Sequence, residues 1–156
     1  MNKLAMPKID RKLTSKKIEI VKGLKKIIKA ENVLDHEDQL RPFETDALSA
    51  YKQKPLIAVF PENTEEVSKI LAFCNRERIK VVPRGSGTGL SGGALPLADC
   101  VLLCLGKFNK ILEVDYKNRC VVAQPGVTNL SITQAVEEKG FYYAPDPSSQ
   151  IACSIG

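Results

Sequence analysis

A glycine-rich stretch between two apolar runs constrains this chain more than any other feature of its sequence. It covers residues 85–93, Gly-Ser-Gly-Thr-Gly-Leu-Ser-Gly-Gly, and holds five of the chain's ten glycines. Backbone with few Cβ atoms adopts positive φ angles easily, and successive N–H groups can then turn toward one anion. The hydroxyl groups in the stretch add further hydrogen-bond donors. The composition therefore predicts a loop that binds a pyrophosphate.

Three other interpretations of this loop make different predictions. A Walker A loop needs a lysine directly after its glycines, and no lysine occurs between Lys80 and Lys107. A Rossmann turn matches the Gly-x-Gly-x-x-Gly spacing at residues 87–92, but it must open a helix. Here Pro96 and the apolar run 101–105 predict a strand instead. A flexible linker is the third interpretation, although linkers are not normally bracketed so closely by strands.

The sequence before the loop predicts a parallel βαβ unit. Residues 56–60 form an apolar run that predicts a buried strand, and Asn63 is placed to cap a helix, with Glu66 completing a capping box. Residues 80–82 predict a second strand. The loop then leaves the end of a sheet strand, where open α/β sheets bind ligands. The buried stripe of the helix is predicted to be Val67, Ile70, Leu71 and Cys74.

The sequence after the loop predicts a second group of strands with a helix. Residues 101–105 form one strand, and residues 111–116 and 119–123 form a hairpin about a Lys117-Asn118 turn. Thr128 is placed to cap a helix that runs to about residue 138, and a proline-rich turn region follows. Together these elements predict an α+β fold of two α/β subdomains, the first a small βαβ sheet and the second a mixed sheet with helices. One face of the first hairpin strand is expected to carry Leu112, Val114 and Tyr116.

Residues 1–50 are predicted to be a helical leader whose start is strongly basic. Residues 1–30 carry ten Lys or Arg against two acidic residues, whereas residues 31–156 carry thirteen basic against sixteen acidic residues. The net charge of +5 therefore belongs to the leader, and no nucleic-acid partner is expected. An apolar stripe at helical spacing favours packing on the rest of the chain, and the alternative is contact with an anionic membrane. The stripe is Ile18, Val21, Leu24 and Ile28.

The remaining signals place the chain among proteins with reduced thiols and without a metal site. The five cysteines show no CxxC pair, and the single histidine, His36, lies in an acidic turn without metal-ligand spacing. Cys100 and Cys104 are expected to pack in the core. We find neither a signal peptide nor an apolar run of the roughly 20 residues that span a membrane. We therefore expect a cytoplasmic protein, with peripheral association at the inner face of the membrane left open.

The stretch over residues 83–93, Pro-Arg-Gly-Ser-Gly-Thr-Gly-Leu-Ser-Gly-Gly, resembles the pyrophosphate loop of a known family. It is similar to the FAD-binding domain of the vanillyl-alcohol oxidase / p-cresol methylhydroxylase (PCMH-type) family. The resemblance extends from about Pro55 to Gly156, and it is strongest to the glycolate oxidase FAD subunit and FAD-linked D-lactate dehydrogenases. It implies that residues 51–156 are an FAD-binding PCMH-type domain.

The resemblance also implies which residues contact FAD. Residues at the pyrophosphate are expected to be Pro83, Arg84, Gly85, Ser86, Gly87, Thr88, Gly89, Ser91, Gly92 and Gly93. Residues near the adenine end are expected to be Pro125, Gly126 and Val127. The flavin and its ribityl chain are expected to meet Pro147, Ser148 and the stretch of residues 154–156, including Ile155 and Gly156. Arg84 either supplies charge toward the phosphates or forms a surface ion pair.

The resemblance finally implies an activity and its partners. The family member expected here oxidises a small 2-hydroxy acid, glycolate or D-lactate, and passes electrons to a quinone, a cytochrome or an iron–sulfur subunit. In the family the substrate-binding and catalytic residues lie beyond the position of Gly156, so we predict no catalytic residue and no metal ligand here. We therefore expect an FAD domain truncated at its C-terminus and inactive alone. The alternative is a non-catalytic nucleotide-binding or subunit-docking module.

Overall fold

The computed structural model describes residues 6–156 and shows an α+β fold with two sheets. The first sheet has the strand order β1-β2-β4-β3. Strand β4 pairs in parallel with both β2 and β3, and β1 pairs antiparallel with β2. The predicted parallel unit is confirmed, although β4 lies between its two strands. The strands are β1 Val33–Leu34, β2 Ile57–Val59, β3 Lys80–Arg84 and β4 Cys100–Cys104.

Strand β4 is the centre of the core because all five of its residues are buried. A parallel strand with both faces covered requires a continuous apolar run, which its sequence Cys-Val-Leu-Leu-Cys provides. Burial raises the pKa of Cys100 to about 11 and that of Cys104 to about 12, so both thiols stay protonated near neutral pH. The prediction that these two cysteines pack in the core is confirmed.

Helix α4, Thr64–Arg76, connects β2 to β3 and begins as predicted. The Glu66 N–H donates to Asn63 Oδ1, but the Glu66 carboxylate accepts from the Glu62 N–H and not from the Asn63 N–H. Leu71 is exposed, so its place in the predicted buried stripe is wrong. The buried face is centred on Ile70 and Cys74 and is flanked by Phe73. This face includes Phe73 because the N-terminal part of the chain, near Gly23, covers that side of α4.

That covering element is formed by the N-terminal helices α1, Arg11–Ser15, and α2, Lys17–Leu24. Their apolar residues belong to the same core cluster as α4, so the predicted packing of the leader on the rest of the chain is confirmed. Ile18 is wrong as a stripe residue, since it is 71% exposed while Ile20 is buried. The other three predicted stripe residues, Val21, Leu24 and Ile28, are buried, so the covered face differs from the prediction only in taking Ile20 instead of Ile18. The buried residues are Leu13 in α1, Ile20, Val21 and Leu24 in α2, and Ile28 after α2.

The rest of the predicted leader is continuous with the sheet. A short helix α3, Glu37–Leu40, follows β1. Because β1 pairs with β2, residues on both sides of the predicted boundary at 50 and 51 share one sheet. The boundary itself stays a prediction, and residues 1–5 of the leader lie outside the described residues. Among residues 6–156, no helix combines the length and apolar character needed to cross a bilayer.

The second sheet consists, within the described residues, of the predicted hairpin. Strands β5, Ile111–Asp115, and β6, Cys120–Ala123, pair antiparallel. The pairing shifts between Ile111 and Glu113, so Leu112 is displaced from the ladder and is 60% exposed. The expectation that Leu112 shares a face with Val114 and Tyr116 is therefore wrong.

Helix α5, Asn129–Val136, follows the hairpin and begins at its predicted cap, but the α-helix ends at Val136, before the predicted end at about residue 138. Thr128 Oγ1 accepts from the Ser131 N–H at the start of the helix. A short 3-10 turn, Glu137–Lys139, then ends at Gly140, whose φ of +74° is the left-handed conformation that favours glycine.

Asp99 connects the N-terminal segment to the parallel sheet. Its side chain is 2% exposed and accepts from the Asp10 N–H and from Lys80 Nζ, both at 2.8 Å. Burial alone would raise the pKa of Asp99, but the hydrogen bond from Lys80 and the backbone N–H groups outweigh burial and hold that pKa below its usual value. The ionised form therefore stabilises the fold above the pKa of the unfolded state, about 3.9, and this contribution is lost as the pH falls through the lower folded-state pKa.

We predict that Asp99→Asn lowers the free energy of unfolding by about 1–3 kcal/mol at pH 7, because two donors lose a charged acceptor. The difference from wild type should shrink between pH 7 and pH 3, because lowering the pH toward the folded-state pKa increasingly favours protonated Asp99 in the wild type as well. Urea unfolding followed by circular dichroism at both pH values measures this. Glu138→Gln, at an exposed position, controls for loss of one negative charge. A loss of equal size at both pH values would contradict the prediction.

Candidate functional site

The glycine loop, residues 85–93, leaves β3 beside the carboxyl end of β4. The Leu105 N–H donates to the Arg84 carbonyl oxygen at 2.9 Å, which fixes the start of the loop at the edge of the sheet. The loop contains bends and one turn, closed by the Leu95 N–H and Gly92 O at 3.2 Å, and no helix. The Rossmann interpretation is therefore wrong. The loop is also fixed at both ends, which excludes a flexible linker.

The hydrogen bonds that hold residues 87–94 use carbonyl oxygens. Gly87 O accepts from the Ala47 N–H at 3.0 Å, and Ala94 O accepts from Arg84 Nη1 at 3.4 Å. By contrast, no backbone N–H from Gly87 to Ala94 donates to an acceptor anywhere in residues 6–156. An N–H group without a protein acceptor is left for water or a ligand, and a run of such groups is the requirement for a backbone anion site.

Glycine occurs at different positions of the loop for different physical reasons. Gly87 and Gly92 have φ angles of +72° and +74°, where other residues are strained. A Cβ at Gly85 would overlap Ser154 and Gly156. Gly89 and Gly93 differ, because a Cβ there meets nothing within 4 Å and neither φ is positive. The fold itself does not require glycine at these two positions, which fits close approach by a bound group such as a phosphate.

Arg84 lies beneath the loop. Its side chain is 9% exposed, Nη1 donates to Thr45 O at 2.8 Å, and the guanidinium lies 5.8 Å from the centre of the Phe43 ring. A Cβ at Gly87 would overlap the guanidinium, so the loop folds closely around it. No carboxylate lies within 4.0 Å of Arg84 among the described residues. The surface ion pair is therefore wrong, and direct contact with a phosphate stays a prediction.

The segment Thr45–Leu48 contacts the loop and was missed by the sequence analysis. Ala47 bonds to Gly87, and the Leu48 side chain would lie 3.6 Å from a Cβ at Gly92. These contacts join residues about forty positions apart and leave no local motif. We call Thr45–Leu48 the clamp segment.

Two further predicted segments meet the start of the loop. The Ser154 hydroxyl accepts from the Ser86 N–H and donates to Gly156 O, both at 3.0 Å. The Gly156 N–H donates to Pro125 O at 2.8 Å, and the Ile155 N–H donates to Val127 O at 2.9 Å. The structure thus brings together residues 85–86, 125–127 and 154–156. Ser154, implied before only as part of a longer stretch, is the side chain that joins them.

Gly126 explains why residues 125–127 can approach the sheet so closely. Its N–H donates to Phe108 O at 2.8 Å, and a Cβ at Gly126 would overlap the carbonyl oxygen of Leu105. The adenine role predicted for these residues is not tested by these contacts and stays a prediction.

The other predicted site residues lie farther from these contacts. Pro147 and Ser148 are exposed, and the Pro147 carbonyl closes a turn with the Gln150 N–H. Pro83 is exposed on β3, Thr88 is half-buried, and Ser91 is exposed in the loop. No hydrogen bond within residues 6–156 joins Pro147 or Ser148 to the glycine loop. Their predicted flavin contacts stay predictions.

The start of helix α5 is not a competing anion site. The Asn129 N–H donates to Cys153 O at 2.9 Å, and the Leu130 N–H donates to Gln150 O at 3.1 Å. A separate groove of about 780 Å³ lies between the hairpin, α5 and residues 140–144, with Ile155 at one side. None of the loop residues 85–93 lines it. The free N–H groups of the glycine loop therefore remain the anion site that the geometry favours.

We predict that two alanine substitutions in this loop differ in their effect on stability. Gly85→Ala should lower the free energy of unfolding by about 1–3 kcal/mol, because its Cβ overlaps the 154–156 backbone. Gly89→Ala should leave it unchanged within about 0.5 kcal/mol or raise it slightly, because its Cβ meets open space. Urea unfolding of both variants measures this. An equal loss in both would contradict the assignment of Gly89 as a residue that the fold does not require.

The comparisons with known proteins agree with this geometry. A family model described as FAD binding domain matches residues 55–156. The chain is 47% identical over 152 residues to the glycolate oxidase subunit GlcD of Escherichia coli (strain K12), covering 97% of this chain and 29% of that protein. It is 35% identical to the mitochondrial D-2-hydroxyglutarate dehydrogenase of Arabidopsis thaliana, covering 87% of this chain and 24% of that protein. It is 36% identical to the D-lactate dehydrogenase of Anaerostipes hadrus, covering 86% of this chain and 28% of that protein.

Solved structures confirm the fold. An alkyldihydroxyacetonephosphate synthase superposes with a TM-score of 0.79 at 20% identity, covering 99% of this chain and 29% of that one. A p-cresol methylhydroxylase superposes with a TM-score of 0.72 at 24% identity, covering 88% of this chain and 27% of that one. At these identities the likeness shows the fold alone, and it confirms the predicted PCMH-type architecture. The chain spans less than a third of the length of each of these relatives and structures.

Proposed function

The chain belongs to the FAD-binding domain family, because that family's model matches more than half of its residues, and its cofactor is FAD. From this premise we propose that the glycine loop binds the pyrophosphate of FAD in a flavin-dependent 2-hydroxy-acid oxidoreductase. The proposal includes the 17 cofactor contacts expected from the sequence, with the pyrophosphate contacts at residues 83–93.

One observation carries the proposal for the loop. Eight consecutive N–H groups, Gly87 to Ala94, are free of partners in residues 6–156, while the carbonyl oxygens of Gly87, Gly92 and Ala94 accept hydrogen bonds. A run of N–H groups without protein acceptors can turn toward one anion, which suits two linked phosphates. The hydroxyls of Thr88 and Ser91 add donors on the same short stretch.

The other segments support the cofactor by holding this loop in place. The Ser154 hydroxyl fixes the Ser86 N–H, and the Pro125–Gly156 hydrogen bond holds the two flanking segments together. Arg84 holds Ala94 and Thr45 from below the loop. These contacts fix the loop before a ligand arrives, so binding orders little additional backbone.

The proposed substrate is a small 2-hydroxy acid, glycolate or D-lactate. It is supported by the names of the relatives, which are a glycolate oxidase subunit, a D-2-hydroxyglutarate dehydrogenase and a D-lactate dehydrogenase. When bound, the flavin supplies the redox chemistry: it takes up two electrons as the alcohol carbon of the acid becomes a 2-oxo group. The acid loses two hydrogens in this step, and an acceptor later removes the two electrons. We assign no catalytic residue to this chain, and we propose that these 156 residues alone do not turn over substrate.

We further propose a quinone, cytochrome or iron–sulfur partner as that acceptor. Peripheral association with an anionic membrane surface is proposed as well, at the cytoplasmic side. Its support is the excess of basic residues in 1–30 and the exposed side chain of Ile18, which has Lys17 and Lys22 as helix neighbours.

We predict that Gly89→Ala and Gly93→Ala each weaken FAD binding about tenfold or more, because a methyl group then occupies the space beside the free N–H groups. The fold should stay as stable as wild type. Quenching of flavin fluorescence during titration with the protein measures the affinity. Gly106→Ala is the matched control, since a Cβ there also meets nothing within 4 Å but lies outside the loop. Wild-type affinity in both loop variants would contradict pyrophosphate binding by this loop.

We also predict that glycolate or D-lactate bleaches the absorption of oxidised flavin in the full-length protein that contains this chain. Anaerobic mixing in a spectrophotometer measures this, with a 2-oxo acid as the unreactive control. A flavin-loaded protein that no 2-hydroxy acid bleaches would leave FAD binding intact and contradict the proposed substrate class. It would favour a non-catalytic nucleotide-binding module.

A further inference from the structure

Asp46 is a buried carboxylate with one oxygen that has no partner. The residue is 5% exposed, and its Oδ1 accepts from the Leu48 N–H at 2.9 Å. Its Oδ2 is buried and accepts no hydrogen bond from any described residue. Within residues 6–156, only Asn129 Oδ1 shares this condition among buried side-chain atoms. A buried carboxylate oxygen without a donor is costly, so the ligand-bound form of the site should supply one.

The position of Asp46 is fixed against the glycine loop from both sides. Thr45 O accepts from Arg84, and the Ala47 N–H donates to Gly87 O. Leu48 lies beside Gly92. Asp46 is therefore an inner residue of the clamp segment. It lies outside residues 55–156, which match the FAD-binding family model.

The glycine loop has the opposite property, because it contains hydrogen-bond donors without acceptors. Its N–H groups from Gly87 to Ala94 have no acceptors among the described residues, whereas Asp46 Oδ2 has no donor. Arg84 does not supply that donor, because no Arg84 nitrogen lies within 4.0 Å of an Asp46 oxygen in the described chain, and its Nη1 is bonded to Thr45 O. A phosphate cannot satisfy a carboxylate either, since both are anions. The loop amides are donors without acceptors, and the clamp segment that contains Asp46 is hydrogen-bonded to the loop through the Ala47 N–H and Gly87 O.

We propose that Asp46 is a positioning residue of the glycine loop: its Oδ2 accepts one backbone N–H of residues 87–94 after a small local shift of the loop on binding a pyrophosphate. The other N–H groups then face the phosphates. This inference rests on the proposed binding of pyrophosphate by the loop. Asp46 acts on the ligand only through the loop and touches no part of it.

The test compares two ligands that share only the pyrophosphate. Asp46→Asn keeps the shape of the side chain but replaces one oxygen by an N–H donor, which cannot accept a loop amide. It should weaken binding of inorganic pyrophosphate and of FAD by the same factor, about tenfold, because one hydrogen bond to a charged acceptor is lost. Isothermal titration calorimetry measures both affinities. Asp38→Asn is the control, because it makes the same charge change at an exposed position.

Hydrogen exchange provides a readout that loss of stability alone would not change. In wild type, saturating pyrophosphate should slow exchange of the amides in residues 87–94, and in Asp46→Asn at least one of these amides should lose that protection. If Asp46→Asn does not fold, Asp46→Ser serves instead. Its hydroxyl can still accept from the Leu48 N–H, but the second oxygen is removed. The same tenfold loss for both ligands is expected.

Three results would overturn the inference. Weakened FAD binding with unchanged pyrophosphate binding would show that Asp46 contacts the sugar or ring part of the cofactor. Unchanged affinity for both ligands would remove any role for Asp46, while the proposed function of the loop would stand. A wild-type protein that binds neither ligand would overturn the proposed function together with the inference.

Discussion

The loop at the centre of this structure depends on one asymmetry: the carbonyl oxygens of Gly87, Gly92 and Ala94 accept hydrogen bonds, whereas no N–H from residue 87 to residue 94 has an acceptor within residues 6–156. Ala47, Arg84 and Leu95 supply the donors that hold those carbonyls. A loop held through its N–H groups would have no capacity for an anion, and a loop held by nothing would pay a large ordering cost on binding. Fixing it through the carbonyl side avoids both problems. The parallel pairing of β3 with β4 sets where this loop leaves the sheet.

The site is assembled from segments that are distant in the sequence. Arg84 reaches back to Thr45 and forward to Ala94, and Ser154 joins the loop to residues 125–127 through Gly156. Each contact is modest in energy, but together they limit the conformations open to a glycine-rich backbone. Segments on both sides of the loop therefore contribute to its order without needing to touch a ligand.

The sequence predicted the elements whose signals are local. The β2–α4–β3 unit, the caps at Asn63 and Thr128 and the hairpin were all confirmed, because apolar runs, capping residues and turn residues act within a few positions. Predictions failed where another element decided the outcome. Ile18 and Leu71 are exposed because the faces of α2 and α4 that other elements cover are narrower than the predicted stripes, and Leu112 is exposed because the hairpin pairing shifts by one residue. The clamp segment and the buried Arg84 depend on long-range contacts, which no spacing in the sequence reveals.

The central claim is that backbone amides of the glycine loop hold the two phosphates of FAD. Nuclear magnetic resonance of the ¹⁵N-labelled protein with bound FAD tests it directly, through couplings across hydrogen bonds between amide nitrogen and phosphorus. The account predicts such couplings from amides within residues 87–94 to both phosphorus atoms. FAD bound with its phosphorus atoms coupled to amides elsewhere, or to no amide at all, would contradict it.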